Sequence, residues 1–168
     1  MDPYTTGNHG LLRKQNLAGT IRLLYENAPI SRVDLARLTG LNKTTVSSLI
    51  DELIENQFVL EVGIGVNKGA GRRKVLLDVN PARGCILSAE IAADFVSVIC
   101  TDFGTKVIWR GRESTVGATQ EETISLTARL LREAAEAGVP QTGPILGLSL
   151  GVPGLVDQKT GTLLFAPN

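Results

Sequence analysis

The chain has 168 residues, 43% of them hydrophobic and only 20% charged, enough apolar material to bury a core in one or two small domains and too apolar for a globally disordered chain. Seventeen basic side chains balance seventeen acidic ones, so net charge draws the whole chain neither toward nor away from a polyanion. The balance is uneven: +2 over residues 1–80 and −2 over residues 81–168, so the first half is the better candidate for a polyanionic partner.

Residues 1–10 are polar and unlike a signal peptide, and they hold the only histidine, His9, in what reads as a flexible tail. Neither a histidine-based triad nor a multi-histidine metal site can be assembled, and no catalytic or metal-binding residue is assigned. Leu17, Ile21, Leu24 and Ala28 then recur at helical spacing, predicting an amphipathic helix over 12–27 ended by Pro29. Ser31 stands three residues before Asp34 in a capping-box pattern, which starts a helix of about eight residues that buries Leu35, Ala36 and Leu38 and stops at Gly40. After a tight turn, Asn42 caps a third helix whose apolar face is Val46, Leu49, Ile50, Leu53 and Ile54. The closely linked second and third helices read as a helix-turn-helix.

The polar face of the third helix separates a packing unit from a DNA reader. Its first two turns offer Asn42, Lys43, Thr44, Thr45, Ser47 and Ser48 without an acid, whereas Asp51, Glu52 and Glu55 come later. A helix dipole favours acids early and bases late, so intrinsic stability does not explain this order. Insertion of the helix start into a phosphate-lined groove does, because recognition helices present their first turns to base edges and backbone. The alternative is a solvated helix rich in serine and threonine.

In QFVLEVGIGVNKGAGRRKVLLDV, alternation at Phe58, Leu60 and Val62 and at Val75, Leu77 and Val79 predicts a hairpin, with four glycines in its tip. The tip carries Lys68, Arg72, Arg73 and Lys74 and no acid, the composition of a wing whose cations lie along phosphates or enter the minor groove. An exposed loop that is basic by chance is the competing reading.

Character changes at Pro81. Runs over 84–91, 95–101 and 105–112 read as a β-meander, a helix fits 119–137 with Ile124, Leu126, Leu130, Leu131 and Ala134 apolar, and ILGLSLGV reads as a further strand before a Pro-Gly turn and a hairpin around Asp157 to Gly161. Glu90 and Asp94 interrupt the most hydrophobic stretch, so no run approaches the roughly 18 residues of a membrane span. A soluble, cytoplasmic chain without membrane contact is expected. Cys85 and Cys100 fall inside strand-like runs without C-x-x-C spacing and read as buried reduced thiols.

The order of SRVDLARLTGLNKTTVSSLIDELIENQFVLEVG, GAGRRKVLLDV, a meander and GLSLGVPGLVD followed by APN resembles the ROK family of repressors, open reading frames and sugar kinases, in its repressor branch. The resemblance covers residues 11–168. It implies an α/β chain: a winged helix-turn-helix over 1–80, then over 81–168 the first, incomplete lobe of an actin-like, ribonuclease-H-like ATPase domain. It also implies a DNA-binding regulator, a repressor of carbohydrate genes that answers to a sugar and acts as a homodimer on double-stranded DNA. By their place in GVPGLVD and APN, Pro153, Gly154 and Asn168 become sugar-side candidates, with a Pro-Gly turn as the other reading of the first two. The family's catalytic aspartate and Cys/His zinc motif belong C-terminal to Asn168, so the chain is expected to be truncated within the domain and to hold no cofactor, with structural zinc confined to sequence beyond it.

Two stretches compete for the family's phosphate loop. The turn that the resemblance assigns is Glu90-Ile91-Ala92-Ala93-Asp94, where alanines replace both glycines and an acid stands where a hydroxyl should face phosphate. The tempting TDFGTK, with Asp102 and Gly104, falls one turn later and reads as a hairpin turn. A sugar-sensing half without kinase chemistry is therefore expected. The alternatives left open are an ATP-dependent sugar kinase with an appended DNA-binding domain, and a DNA-binding and dimerisation module without sensing.

Overall fold

The computed structural model describes residues 6–65 and 73–165, and contacts divide the chain into two compact units, Met1–Asn80 and Pro81–Asn168. The first unit holds α1 (Thr6–Asn27), β1 (Ile30–Ser31), α2 (Arg32–Thr39), α3 (Lys43–Glu55), β2 (Val59–Gly65) and β3 (Lys74–Val79). Helix α1 begins six residues before the expected start, so His9 lies in a helix rather than in a tail.

Helix α2 starts where its sequence signal places it. The Ser31 hydroxyl accepts the Asp34 N–H at 3.3 Å and donates to the Asp34 carboxylate at 2.6 Å. Gly40 closes the helix at φ 70°, a left-handed conformation that glycine adopts without steric cost. Leu24, Leu35, Val46, Ile50, Leu53, Val59 and Leu77 form one buried core. Each such side chain stabilises the fold by about 1.5–3 kcal/mol relative to exposure.

Two expectations need correction here, and one strand is additional. Leu38 is 48% exposed, because the short α2 turns only Leu35 and Ala36 inward. On the hairpin, Val59 and Leu77 are buried whereas Leu60 and Val62 are exposed. The inward side of β2 is thus set by Val59 pairing with Val79, and a register shift between Glu61 and Gly63 breaks the alternation at Val62. Finally, β1 adds to β3 through Ile30–Leu77 and Ser31–Leu76, giving a three-stranded sheet in the order β1-β3-β2. Two residues are too few for a periodic signal.

The second unit opens with a single 3-10 turn, Pro81–Arg83, and continues through β4 (Cys85–Ile91), β5 (Phe95–Asp102), β6 (Val107–Ser114), α4 (Gln120–Thr142), β7 (Ile145–Gly151), β8 (Leu155–Asp157) and β9 (Thr162–Phe165). Strands run β6-β5-β4-β7, antiparallel except that β7 lies parallel to β4, and β8 pairs separately with β9. Alternate residues of β4 and β5, among them Cys85, Leu87, Val98 and Cys100, pack with Leu130 and Ala134 of α4. Burial, with Cys85 and Asp102 beside it, pushes the Cys100 thiol up to about 11, so it stays protonated at neutral pH. A Cβ added at Gly138 would fall 2.3 Å from the Cys100 sulfur, so a glycine is what lets α4 approach the sheet.

Helix α4 passes its expected end at 137. Pro140 removes one backbone donor, yet the last turn is held by Gln141 Nε2 donating to the Ala137 carbonyl at 2.9 Å, by the Thr142 hydroxyl donating to Gly138 at 3.0 Å and by the Gly143 N–H donating to Val139 at 3.0 Å. Ile124, expected on the apolar face, is 55% exposed. TDFGTK is a hairpin turn between β5 and β6: the Asp102 carbonyl accepts the Thr105 N–H at 3.1 Å and its carboxylate accepts the Lys106 N–H at 2.9 Å. Thr105, not Gly104, takes the positive φ of 73°.

Candidate nucleic-acid interface

The start of α3 is built from its cap outward. Asn42 is extended (φ −68°, ψ 155°), and its side-chain oxygen accepts the Thr45 N–H at 2.7 Å. Behind this cap Val46, Leu49, Ile50 and Leu53 are buried, which fixes the helix against the core and turns the opposite side outward. Lys43, Thr44 and Ser48 are exposed, and Thr45 and Ser47 are half-buried. The first turn contains no acid. Of the later acids, Asp51 pairs with Arg32 at 2.6 Å, and Glu52 pairs with Arg13 of α1.

A groove of about 430 Å³ runs between the starts of α2 and α3 and the hairpin, lined by Arg32, Lys43, Ser47, Glu61, Arg73 and Lys74 together with Ser31, Val33 and Val75. Four cations face one carboxylate there. The structure thus brings Lys43 and Ser47 of the helix together with Arg73 and Lys74 of the hairpin. Lys68 and Arg72 lie outside the described residues. Lys74 is not a free cation: its amine reaches the two Asp34 oxygens at 3.3 and 3.2 Å, and Arg37 holds the same carboxylate at 2.8 Å. The Ser31 hydrogen bond, aided by Lys74 and Arg37 and opposed by partial burial, holds the Asp34 carboxyl below its usual range. The Asn42 oxygen is used by the cap, which leaves its amide NH2 for other partners.

Sequence reasoning missed Arg32. Its signal was a cation at the first position of a helix, where the dipole disfavours it.

In the second unit, Pro153 borders a separate cleft of about 470 Å³ with Glu90, Ala92, Ala93, Ser149 and Gly151. The turn between β4 and β5 is closed by the Ala92 N–H donating to the Phe95 carbonyl at 2.8 Å, and its Asp94 carbonyl accepts the N–H of Thr115, just after β6, at 2.9 Å. Gly154 has a backbone role: with φ at 143°, any Cβ there would sit 1.9 Å from the Phe165 carbonyl oxygen. Asn168 lies outside the described residues. Among the described residues no three His, Cys, Asp or Glu side chains gather in a metal-binding group, and no helix is long and apolar enough to cross a membrane.

Two short-linked helices, a capped third helix with an acid-free start and an adjoining hairpin define a winged helix-turn-helix, and residues 19–59 match the family described as winged helix-turn-helix DNA-binding. The wider chain is similar to the xylose repressor of Caldicellulosiruptor bescii, at 37% identity over 96% of this chain and 41% of that protein. It is also similar to the xylose repressor of Bacillus subtilis, at 33% identity over 94% of this chain and 40% of that protein. A solved ROK family transcriptional regulator, described as a homologue of the E. coli MLC protein, shares the fold with a TM-score of 0.68 at 20% identity, over 93% of this chain and 39% of its own. The chain is thus similar to xylose repressors and shares its fold with a ROK family regulator, and it spans about two fifths of the length of the curated relatives it matches.

Proposed function

We propose that the chain supplies the DNA-reading unit and the beginning of the effector lobe of a sugar-responsive transcriptional repressor. The observation that carries this reading is the start of α3: a capped, acid-free run of hydroxyls and one lysine, mounted on a fully buried apolar back and flanked by the groove that Lys43, Arg73 and Lys74 line. In this reading Lys43, Thr44, Thr45, Ser47 and Ser48, with the Asn42 amide, reach base edges and the nearest phosphates, while Lys68, Arg72, Arg73 and Lys74 follow the backbone. A homodimer on paired half-sites is the expected assembly, and a pentose of the xylose type is the first effector to try, given the names of the relatives.

The second unit serves sensing rather than phosphoryl transfer in this proposal. Ala92 and Ala93 place methyl groups where a phosphate loop needs bare backbone, Asp94 adds a repelling charge, and the Ala92 N–H is used within its own turn. Pro153 is kept as a wall of the effector cleft, Asn168 as a sugar-side candidate, and Gly154 as a residue that permits the turn. The protein acts in the cytoplasm and needs no cofactor held by this chain.

Selection of genomic fragments by the purified chain at about 0.15 M salt, with and without a panel of sugars, tests the reading, because non-specific contacts alone bind weakly at that salt. A few discrete sites released by one sugar are expected. Discrete sites indifferent to every sugar would keep the DNA reader and remove sensing from this chain, and no enrichment would overturn the proposal.

A further inference from the structure

Arg32 joins three elements of the first unit. It is the first residue of α2, and its guanidinium donates to the Asp51 carboxylate at 2.6 Å and to the Ser47 carbonyl at 3.3 Å, both on α3, while its other terminal nitrogen lies 3.5 Å from Glu61 on β2. Its side chain is 27% exposed, against 66% for Asp51 and 51% for Glu61. Two features set it apart from an ordinary surface ion pair. A cation at a helix start opposes the dipole, so stability of α2 does not account for it. Its contacts with two exposed acids are also of the kind that contribute little to folding.

Geometry accounts for it better. A planar fork can hold a carbonyl and a carboxylate on one nitrogen and reach a second carboxylate with the other, a spread that the single nitrogen of a lysine does not offer. The carbonyl it holds belongs to Ser47, in the helical turn that the proposed function places against the bases, and the carboxylate on β2 belongs to the strand that leads into the hairpin tip. We infer that Arg32 is a positioning residue for operator reading: it fastens the Ser47–Asp51 turn of α3 to β2, and so fixes the pitch of the reading helix against the hairpin. This inference rests on the proposed DNA-binding function. Loss of the fork would let α3 rock against the hairpin, and base contacts, which depend on sub-ångström placement, would suffer more than phosphate contacts, which lie along a continuous charged rail.

The test compares the full chain with its Arg32→Met, Arg32→Lys and Asp51→Asn variants on a selected operator and on a scrambled duplex, across about 0.1–0.3 M salt. Arg32→Met is expected to weaken operator binding about tenfold or more, to change scrambled-duplex binding less than about threefold, and to leave the salt slope unaltered. Arg32→Lys should recover little of the discrimination, since charge without the fork is not enough. Asp51→Asn, which removes an exposed carboxylate, should lose discrimination in the same direction, and combining it with Arg32→Met should add nothing further.

Equal weakening on both duplexes, with the slope lower by about one, would make Arg32 a phosphate contact and overturn the inference. So would full activity of Arg32→Met or full rescue by lysine. Should Arg32→Met fail to melt cooperatively, Asp51→Asn decides: unchanged discrimination there overturns the inference. If the parent chain itself does not distinguish operator from scrambled DNA, the proposed function has failed, a result separate from any of these.

Discussion

In the first unit α3 turns Val46, Leu49, Ile50 and Leu53 onto the core with at most 2% exposure, whereas in the second unit α4 packs on β4 and β5 while Leu148, Leu150, Leu155, Leu164 and Phe165 on β7–β9 are each more than half exposed. Where burial is complete, the outward residues of an element are free to be read for function, and the start of α3 can be assigned residue by residue. Where apolar side chains also face solvent, exposure alone does not separate a binding surface from a packing one. The difference explains why the start of α3 supports a sharper reading than the cleft beside Pro153.

The largest effects should fall on the buried side of that contrast. Leu35→Ala is expected to cost about 2–5 kcal/mol of stability, while Leu150→Ala should cost no more than about 0.5 kcal/mol, as surface changes usually do. Denaturant unfolding of both variants checks this, and similar losses would erase the distinction between the units. Next comes Gly138→Ala, whose new methyl must displace the Cys100 sulfur. A destabilisation of about 1–3 kcal/mol confined to the second unit is expected, with DNA binding retained. Loss of DNA binding in that variant would show the two units to be less separable than their contacts suggest.

A smaller, purely electrostatic effect should follow from Arg72→Ala combined with Arg73→Ala. Binding should weaken across all sequences, and the salt slope should fall by about one to two phosphates. An unchanged slope would remove the hairpin from the interface. The smallest effect concerns acid. Because Asp34 titrates below its unfolded value, its contribution to stability is present above the ordinary carboxyl range and is lost as pH falls through the lower folded value. Asp34→Asn should therefore flatten the stability profile below about pH 4 and leave its shape at neutral pH unaltered. A variant profile parallel to the parent's throughout would contradict the ion-paired arrangement around Lys74 and Arg37.

Legibility in the sequence followed the range of the interactions. Caps are local, so Ser31, Gly40 and Asn42 marked their helix ends correctly, and the strong 3.6-residue period of α3 gave its buried face. The meander, α4 and the parallel β7 were likewise readable as elements. Interactions between elements were not readable. The inward side of β2 depends on pairing with β3 and on the shift at Val62, and β1 exists only because β3 lies beside it. The expected helix stopped at 137, but side-chain bonds from Gln141 and Thr142 accompany its continuation past Pro140. In the interface, the sequence named Lys43, Ser47, Arg73 and Lys74 from composition. That Lys74 is tied to Asp34, and that Arg32 clasps α3, needed the fold, because each joins residues 15 to 40 positions apart.

That the first two turns of α3 read bases is tested most directly by the base preference of a Ser47→Ala chain selected against random duplexes beside the parent. Preference is expected to relax or change at one position of the site, by about 1–3 kcal/mol for a lost base contact, with the salt slope preserved. An identical preference in parent and variant, and again when Thr45 or Ser48 is substituted, would contradict it and move recognition off this helix.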